Sequence, residues 1–276
     1  MLHIISRSFQ QAKDKIREHK WLFILIVIVQ IILLILLFWL TITYQVKIFQ
    51  DVQGLLTPLQ NANYDPASIQ EGQPFLKDIR TLQQSYTHLR KDVTQYIGGI
   101  IFLFLLGQGA LWLLSHQILE RSRFLQLAKQ WVKLAASSMI LLGPFFVIVY
   151  FLAKTFILNG LNEQNFAQIM KVFLLLFGFM YYLLLTSWTI IPISSWKEWA
   201  KKFIFLAFKR IYYTLPVLIS SWIVIIGTGA LLYFSVERQN IWLIIVAFFL
   251  GIIILVITRI FFIAVGKDIA HEKNNH

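Results

Sequence analysis

Three pairs of hydroxyl side chains recur inside the long apolar stretches of this sequence. Hydroxyls can hydrogen-bond a solute, and prolines that disturb helices can expose backbone groups to it, as in transporter sites. Small hydroxyl residues are also an ordinary means of packing helices closely in lipid. Packing is the interpretation that the sequence favours, and a solute cavity opening to the inside between three helices is the alternative. The residues are Ser137, Ser138, Thr186, Ser187, Ser220 and Ser221, with Pro144, Pro192 and Pro216 on the same stretches.

Charged side chains are nearly missing from the same stretches. None of them contains Asp or Glu, which argues against a proton pump or a carboxylate-coordinated cation pathway. Arg259 lies in the last stretch, whose 26 residues would be about 39 Å long as a helix. A hydrocarbon core is only about 30 Å thick, so we expect Arg259 to reach lipid phosphates at the inner surface.

The sequence contains no pattern of residues typical of an enzyme. Cysteine is absent, which excludes thiolate nucleophiles and thiolate metal sites. A glycine-rich phosphate loop and a G-x-S-x-G elbow are also missing, and His116 has no carboxylate near it in the sequence. The sequence therefore predicts a protein that is not an enzyme and has no cofactor and no metal. An intramembrane enzyme would need a nucleophile or a metal site that this sequence does not offer.

The longest apolar stretch is the clearest structural signal. Residues Trp21 to Tyr44 include no charged side chain, whereas about 20 apolar residues suffice to cross a bilayer. Hydrophobic residues make up 58% of the chain and charged residues 14%, against about 25% charged in soluble domains. We therefore predict an all-α integral membrane protein with six transmembrane helices.

The first two membrane spans are predicted to form a long helical hairpin over residues 21–118. Its middle part, residues 45–95, would project from the membrane as a stalk, because polar residues and helix breakers replace the apolar run there. Apolar residues on the return arm alternate at spacings of three and four, which is the heptad pattern of packed helices. The predicted stalk seam consists of Val52, Leu56, Ile79, Leu82, Tyr86 and Leu89.

The hairpin also predicts which residues meet. Two antiparallel arms that fold about position 69 pair residues whose numbers sum to 138. Leu56 would then meet Leu82, Val52 would meet Tyr86, and Gln30 would meet Gln108 inside the membrane. An amide pair between two helices in lipid contributes about 0.6–2 kcal/mol. We interpret the two glutamines as a register lock, with a solute contact as the alternative.

Three amphipathic segments carry most of the remaining positive charge: residues 1–20, 119–133 and 194–213. Such segments lie in the membrane interface with their apolar face in lipid and their cations on anionic headgroups. This placement explains the basic and aromatic residues more simply than nucleic-acid binding does, so no nucleic-acid partner is predicted. The predicted headgroup ligands are Lys13, Arg17, Arg121, Arg123, Lys197, Lys201, Lys202 and Arg259.

The basic residues also predict the orientation. With the N-terminus inside, sixteen Lys and Arg residues lie on the inner side and three lie on the short outer links, as the positive-inside rule requires. The first segment would be an interfacial helix, residues 119–266 a four-span bundle with two interfacial segments, and residues 267–276 a charged tail. The expected location is the plasma membrane of a prokaryote, with both termini in the cytoplasm.

Two functions fit these expectations. The first is a non-catalytic scaffold or accessory subunit that binds a protein partner through its outer stalk and anionic lipid through its inner basic helices. The projecting hairpin and the missing chemistry motivate it, and a homo-oligomer fits the same pattern. The alternative is a small carrier or permease, whose pathway would be the hydroxyl-lined cavity between spans three, four and five.

Overall fold

The computed structural model describes residues 2–61, 75–120, 124–158, 163–191 and 195–272. Within these ranges the chain is almost entirely helical and contains no β-strand. Two short π-helical segments, Phe104–Gln108 and Phe205–Lys209, interrupt the α-helices. The α-helices are α1 (Leu2–Glu18), α2 (Lys20–Asn61), α3 (Phe75–Leu103), α4 (Gly109–Leu119), α5 (Phe124–Leu158), α6 (Glu163–Thr189), α7 (Trp196–Ile204), α8 (Ile211–Glu237) and α9 (Ile241–Glu272).

Six helical segments in the described part of the chain are long and apolar enough to cross a membrane. They correspond to the six apolar stretches of the sequence, so the prediction of an all-helical chain with six such helices is confirmed. The segments are Lys20–Thr57, Arg80–Leu119, Gln126–Leu152, Lys171–Thr189, Ile211–Glu237 and Ile241–Ala270.

Two helices continue across boundaries between the predicted segments. α5 runs without interruption from Phe124 to Leu158 and contains Pro144, so most of the predicted interfacial segment 119–133 shares a helix with the following span. α9 continues to Glu272, into the predicted charged tail of residues 267–276. The sequence offers no glycine or proline between residues 124 and 142 or between 267 and 272, so nothing in either segment ends the helix.

The chain folds as two compact units, one formed by residues 1–30 and 109–276 and the other by Ile31–Gln108. In the first unit, α9 packs against α1, α4, α6 and α8. Val256, Ile260, Ile263 and Ile269 on α9 are almost completely buried. Because its C-terminal half is covered on several sides, α9 is the central helix of this unit.

The N-terminal helix α1 packs on α9. The rings of Phe9 and Phe261 lie 5.9 Å apart, Ala12 is buried, and the buried hydroxyl of Ser8 donates a 2.7 Å hydrogen bond to the carboxylate of Asp268. The apolar face of α1 was expected to lie in lipid, and part of it is instead covered by protein. A stripe of apolar residues fits either environment, because both remove it from water.

Helix α7 shows the same difference more strongly. Trp199 and Phe203 of α7 and Leu206 of the following π segment were expected on a lipid-facing stripe, but all three are buried in the first unit. The rings of Trp199 and Phe203 stack at 5.5 Å, and the ammonium of Lys133 lies 5.5 Å from the ring centre of Trp196. The apolar side of α7 therefore contributes to the protein core.

In the second unit, α2 and α3 contact each other along antiparallel directions. The rings of Tyr44 and Tyr96 lie 5.8 Å apart, and a Cβ atom on Gly54 would lie 2.9 Å from Oγ of Ser85. Such a short distance means that the helix backbones approach closely where both residues are small. The residue numbers of these pairs sum to 140 and 139, against the 138 expected from the sequence.

The contacting face differs from the predicted seam at two positions. Leu56 is 47% exposed and Tyr86 60% exposed, while Gly54 and Ser85 form the contact between the arms. Small side chains allow a closer approach than a leucine and a tyrosine would, so the interface follows Gly54 and Ser85. Val52, Leu82 and Leu89 are half-buried, and the side chain of Ile79 lies outside those described.

Candidate functional site

Five of the six hydroxyl residues singled out by the sequence are buried in the first unit, and Ser220 is exposed. Ser137 and Ser138 both donate to the carbonyl of Leu134, at 3.0 and 2.7 Å. Thr186 donates to its own helix in the same way, and so do Ser220 and Ser221. A hydroxyl that donates to its own helix has used its only proton. It can therefore accept a hydrogen bond from a solute but cannot donate one.

One hydrogen-bond chain connects three helices through Trp188. Its indole Nε1 donates to Oγ of Ser138 at 2.8 Å, which links α6 to α5. Nε2 of His116, on α4, lies 2.8 Å from the carbonyl oxygen of Trp188, so Nε2 must be the protonated ring nitrogen. The rings of Trp112 and Trp188 meet at 5.4 Å. These contacts assign Ser138 a role in joining helices.

Among the described residues, the buried polar atoms without a hydrogen-bond partner include Nδ1 of His116, Oγ of Ser187 and Nε1 of Trp199. A buried polar atom without a partner costs about 1–3 kcal/mol. From the sequence no chemistry was predicted for His116, because it has no carboxylate near it in the sequence. In the structure His116 is buried and bonded to α6, a relation between residues 72 positions apart that no local pattern reveals.

The π segment after α7 is held by Tyr182. Its hydroxyl donates to the carbonyl of Ala207 at 2.9 Å and lies 2.7 Å from Oγ1 of Thr214. A π-helical turn changes the backbone hydrogen-bond pattern, and the tyrosine supplies a donor at that point. Tyr182 was not predicted from the sequence, because a tyrosine in an apolar span indicates only that its hydroxyl needs a partner.

A small cavity lies beside this tyrosine-bonded turn, where α6, the π segment, α8 and α9 meet. Its volume is about 10 Å³, which is about the space that one water needs. The cavity is therefore too small for a solute. It is lined by Thr186, Thr189, Leu206, Thr214, Phe262, Val265 and Gly266.

Two polar residues of the long apolar stretches, Gln30 and Arg259, are bonded to each other in the first unit. A guanidinium nitrogen of Arg259 donates to the side-chain oxygen of Gln30 at 2.7 Å. Arg259 was expected to extend to lipid phosphates, and the structure directs this nitrogen to a protein amide ten residues into α2. The lipid contact of Arg259 stays a prediction.

The predicted pair of Gln30 and Gln108 also stays a prediction. Gln30 belongs to the first unit and Gln108 to the second. Gln108 ends the π segment Phe104–Gln108, and such single-turn π-helices are frequent at functional positions. The sequence pattern did not indicate this π segment.

The predicted headgroup ligands are mostly accessible. Lys13, Arg17, Lys197 and Lys201 are exposed, and Lys202 is half-buried. Arg121 and Arg123 lie outside the described residues.

Among the described residues, no three His, Asp or Glu side chains are grouped closely enough to hold a metal ion. No protein-family model, curated protein or solved structure matches the chain.

Proposed function

We propose that this protein is a non-catalytic membrane scaffold or accessory subunit, with a partner bound at its outer stalk and anionic lipid bound at its inner basic helices. In this proposal the six apolar helices span a membrane, both termini face the cytoplasm, and the stalk of residues 45–95 lies outside. The positive-inside distribution of Lys and Arg supports this orientation.

Helix length supports a projecting stalk. The 42 residues of α2 correspond to about 63 Å at 1.5 Å per residue, about twice the thickness of a hydrocarbon core. The first charged side chain after Lys20 is Lys47, so the part of α2 from there on suits water better than lipid.

The observation that best supports a protein partner is the exposure of apolar side chains on the outer part of α2. Val46 is 52% exposed, Phe49 62% and Leu56 47%, and polar residues such as Lys47, Gln50 and Gln53 separate them in the sequence. Apolar residues that are exposed to water in a row along one helix mark an interaction surface.

The first unit supports a scaffold more than a carrier. Of the six hydroxyl residues singled out by the sequence, all but Ser187 donate to their own helices. The cavity beside Thr186 has room for about one water.

Two experiments test the proposal. In membranes of the source cells, a photo-reactive amino acid at Phe49 is expected to form adducts with a protein, and the same group at Thr87, which is exposed on α3, serves as the control. Absence of any Phe49 adduct contradicts a stalk partner.

Native mass spectrometry tests the proposed binding of anionic lipid. The variant Lys197→Gln with Lys201→Gln is expected to retain fewer phosphatidylglycerol molecules than the wild type, because it loses two exposed cations. The control variant Lys47→Gln changes an exposed lysine of the stalk. Equal retention by all three proteins contradicts the assigned lipid site.

A further inference from the structure

A regular stripe of exposed residues runs along α2 in the second unit. Neighbouring members are three and four residues apart in strict alternation, which is the heptad spacing by which one helix packs against another. Seven of the eight members are large apolar residues and one is a glutamine. The stripe residues are Ile32, Ile35, Trp39, Ile42, Val46, Phe49, Gln53 and Leu56.

Val46, Phe49 and Leu56, the apolar residues of the outer part of this stripe, stay exposed although α3 packs against α2. The contacts of α2 with α3 in the second unit use other positions, with Tyr44 against Tyr96 and Gly54 against Ser85. Inside a membrane, lipid would cover exposed apolar residues, but Val46, Phe49 and Leu56 follow the uncharged run and alternate with polar residues. A further helix is the natural partner for a heptad stripe in water.

We propose that the stripe residues of α2 bind the same stripe in a second copy of this chain, so that two α2 helices pair in parallel. This inference rests on the membrane placement proposed above. Two copies with the same orientation in a membrane can be related by a two-fold axis only along the membrane normal. Such a symmetric interface is formed by the same surface of both subunits, so each stripe residue lies level with its equivalent.

Gln53 favours a second copy over an unrelated protein. A carboxamide carries both donors and an acceptor, so two Gln53 side chains at the same level complement each other. A single amide at a core position of a parallel coiled coil fixes register and the number of helices, at some cost in stability. The stripe contains no charged residue, so two copies would not repel each other.

Cysteine scanning tests this pairing, because the chain contains no cysteine of its own. Single variants Val46→Cys, Phe49→Cys and Leu56→Cys, oxidised in membranes, are expected to form disulfide-linked dimers of twice 32.3 kDa. Equivalent positions in a parallel pair come within disulfide distance. The control variants Lys47→Cys and Thr87→Cys are exposed but off the stripe, and their dimer yield is expected to be several-fold lower.

A second variant tests specificity. Phe49→Glu places two carboxylates level with each other and is expected to abolish dimers captured by a bifunctional amine crosslinker. Phe49 is exposed, so its substitution leaves the contact between Gly54 and Ser85 intact. A disulfide engineered between positions 54 and 85 then shows whether the variant is still folded. Dimers that persist at the wild-type level overturn the proposal.

The photo-crosslinking at Phe49 separates the two proposals. Adducts of twice the chain mass support pairing with a second copy. Adducts of any other mass show that a different protein covers the stripe, which overturns the second copy and leaves the scaffold function standing. No adduct, together with equal dimer yields at stripe and control positions, overturns both.

Discussion

Arg259 on α9 donates a 2.7 Å hydrogen bond to the side-chain oxygen of Gln30 on α2, across 229 positions of sequence. The acceptor lies ten residues after Lys20, the first residue of α2, or about 15 Å along the helix. Gln30 is buried, and it provides the polar partner that a partly buried charge needs.

We therefore expect Gln30→Leu to destabilise the protein by about 1.5–3 kcal/mol, because a hydrogen bond to a charged group is lost and the charge remains. Denaturant titration of the purified protein measures this loss. The control Gln45→Leu changes an exposed glutamine of the same helix and should be nearly neutral. In a double-mutant cycle of Gln30→Leu with Arg259→Met, the changes in unfolding free energy should be non-additive by about 1–2 kcal/mol. Additive losses would contradict a coupled pair.

Gly266 on α9 lies against Thr189 on α6. A Cβ atom at Gly266 would overlap Cγ2 of Thr189, so Gly266→Ala is expected to destabilise the protein by about 1–3 kcal/mol through overpacking. Gly251, on the same helix, has open space at its Cβ position, and Gly251→Ala should be neutral or stabilising by up to about 1 kcal/mol. Thermal unfolding of both variants measures the difference.

A second-site change identifies the cause. Thr189→Ser removes the methyl group and keeps the hydroxyl that bonds to Leu185, so it should restore part of the stability lost in Gly266→Ala. If the double variant is as unstable as Gly266→Ala alone, the collision with Thr189 is not the reason.

The contact between Gly54 and Ser85 predicts a disulfide. A Cβ atom on Gly54 would lie 3.6 Å from Cβ of Ser85, and disulfides typically join Cβ atoms about 3.5–4.5 Å apart. Gly54→Cys with Ser85→Cys should therefore crosslink within one chain on mild oxidation, as a mobility change on non-reducing gels will show.

The control for this disulfide is the pair expected from the sequence register, Val52→Cys with Tyr86→Cys. Tyr86 is 60% exposed, so this pair should crosslink less within one chain. A higher yield for the control pair would mean that the arms follow the register predicted from the heptads.

Adjacent serines on α5 should respond differently to the same change. Ser138 accepts the indole proton of Trp188, so Ser138→Ala is expected to cost about 1–3 kcal/mol by removing that acceptor in the core. Ser137 has a hydrogen bond only to its own helix, and Ser137→Ala should cost less than about 1 kcal/mol. Equal losses in denaturant titrations would show that the link from Ser138 to Trp188 contributes little.

Much of the fold could be predicted because its causes are local. A run such as Trp21 to Tyr44, with no charged residue, can satisfy its backbone in lipid only as a helix. The sequence also predicted two antiparallel arms from the heptad spacing and the turn residues, and the described contacts of α2 with α3 join residues whose numbers sum to 140 and 139. The turn itself lies outside the described residues, so the hairpin stays a prediction. Which small residues form the contact was not predictable, because Gly54 and Ser85 carry no hydrophobic signal.

The contacts of the candidate site could not be predicted, because they join residues that are far apart in sequence. Periodicity shows that Trp199 and Phe203 share a face with Trp196, but protein and lipid exclude water equally well from such a face. Polarity likewise shows that Gln30, His116 and Arg259 need partners without showing which. The sequence alone determined the helices and their amphipathic faces, because these depend on neighbours within one or two turns. Only the tertiary structure decided that α7 faces protein, that His116 reaches Trp188 and that Arg259 reaches Gln30, because those contacts depend on how separate helices pack.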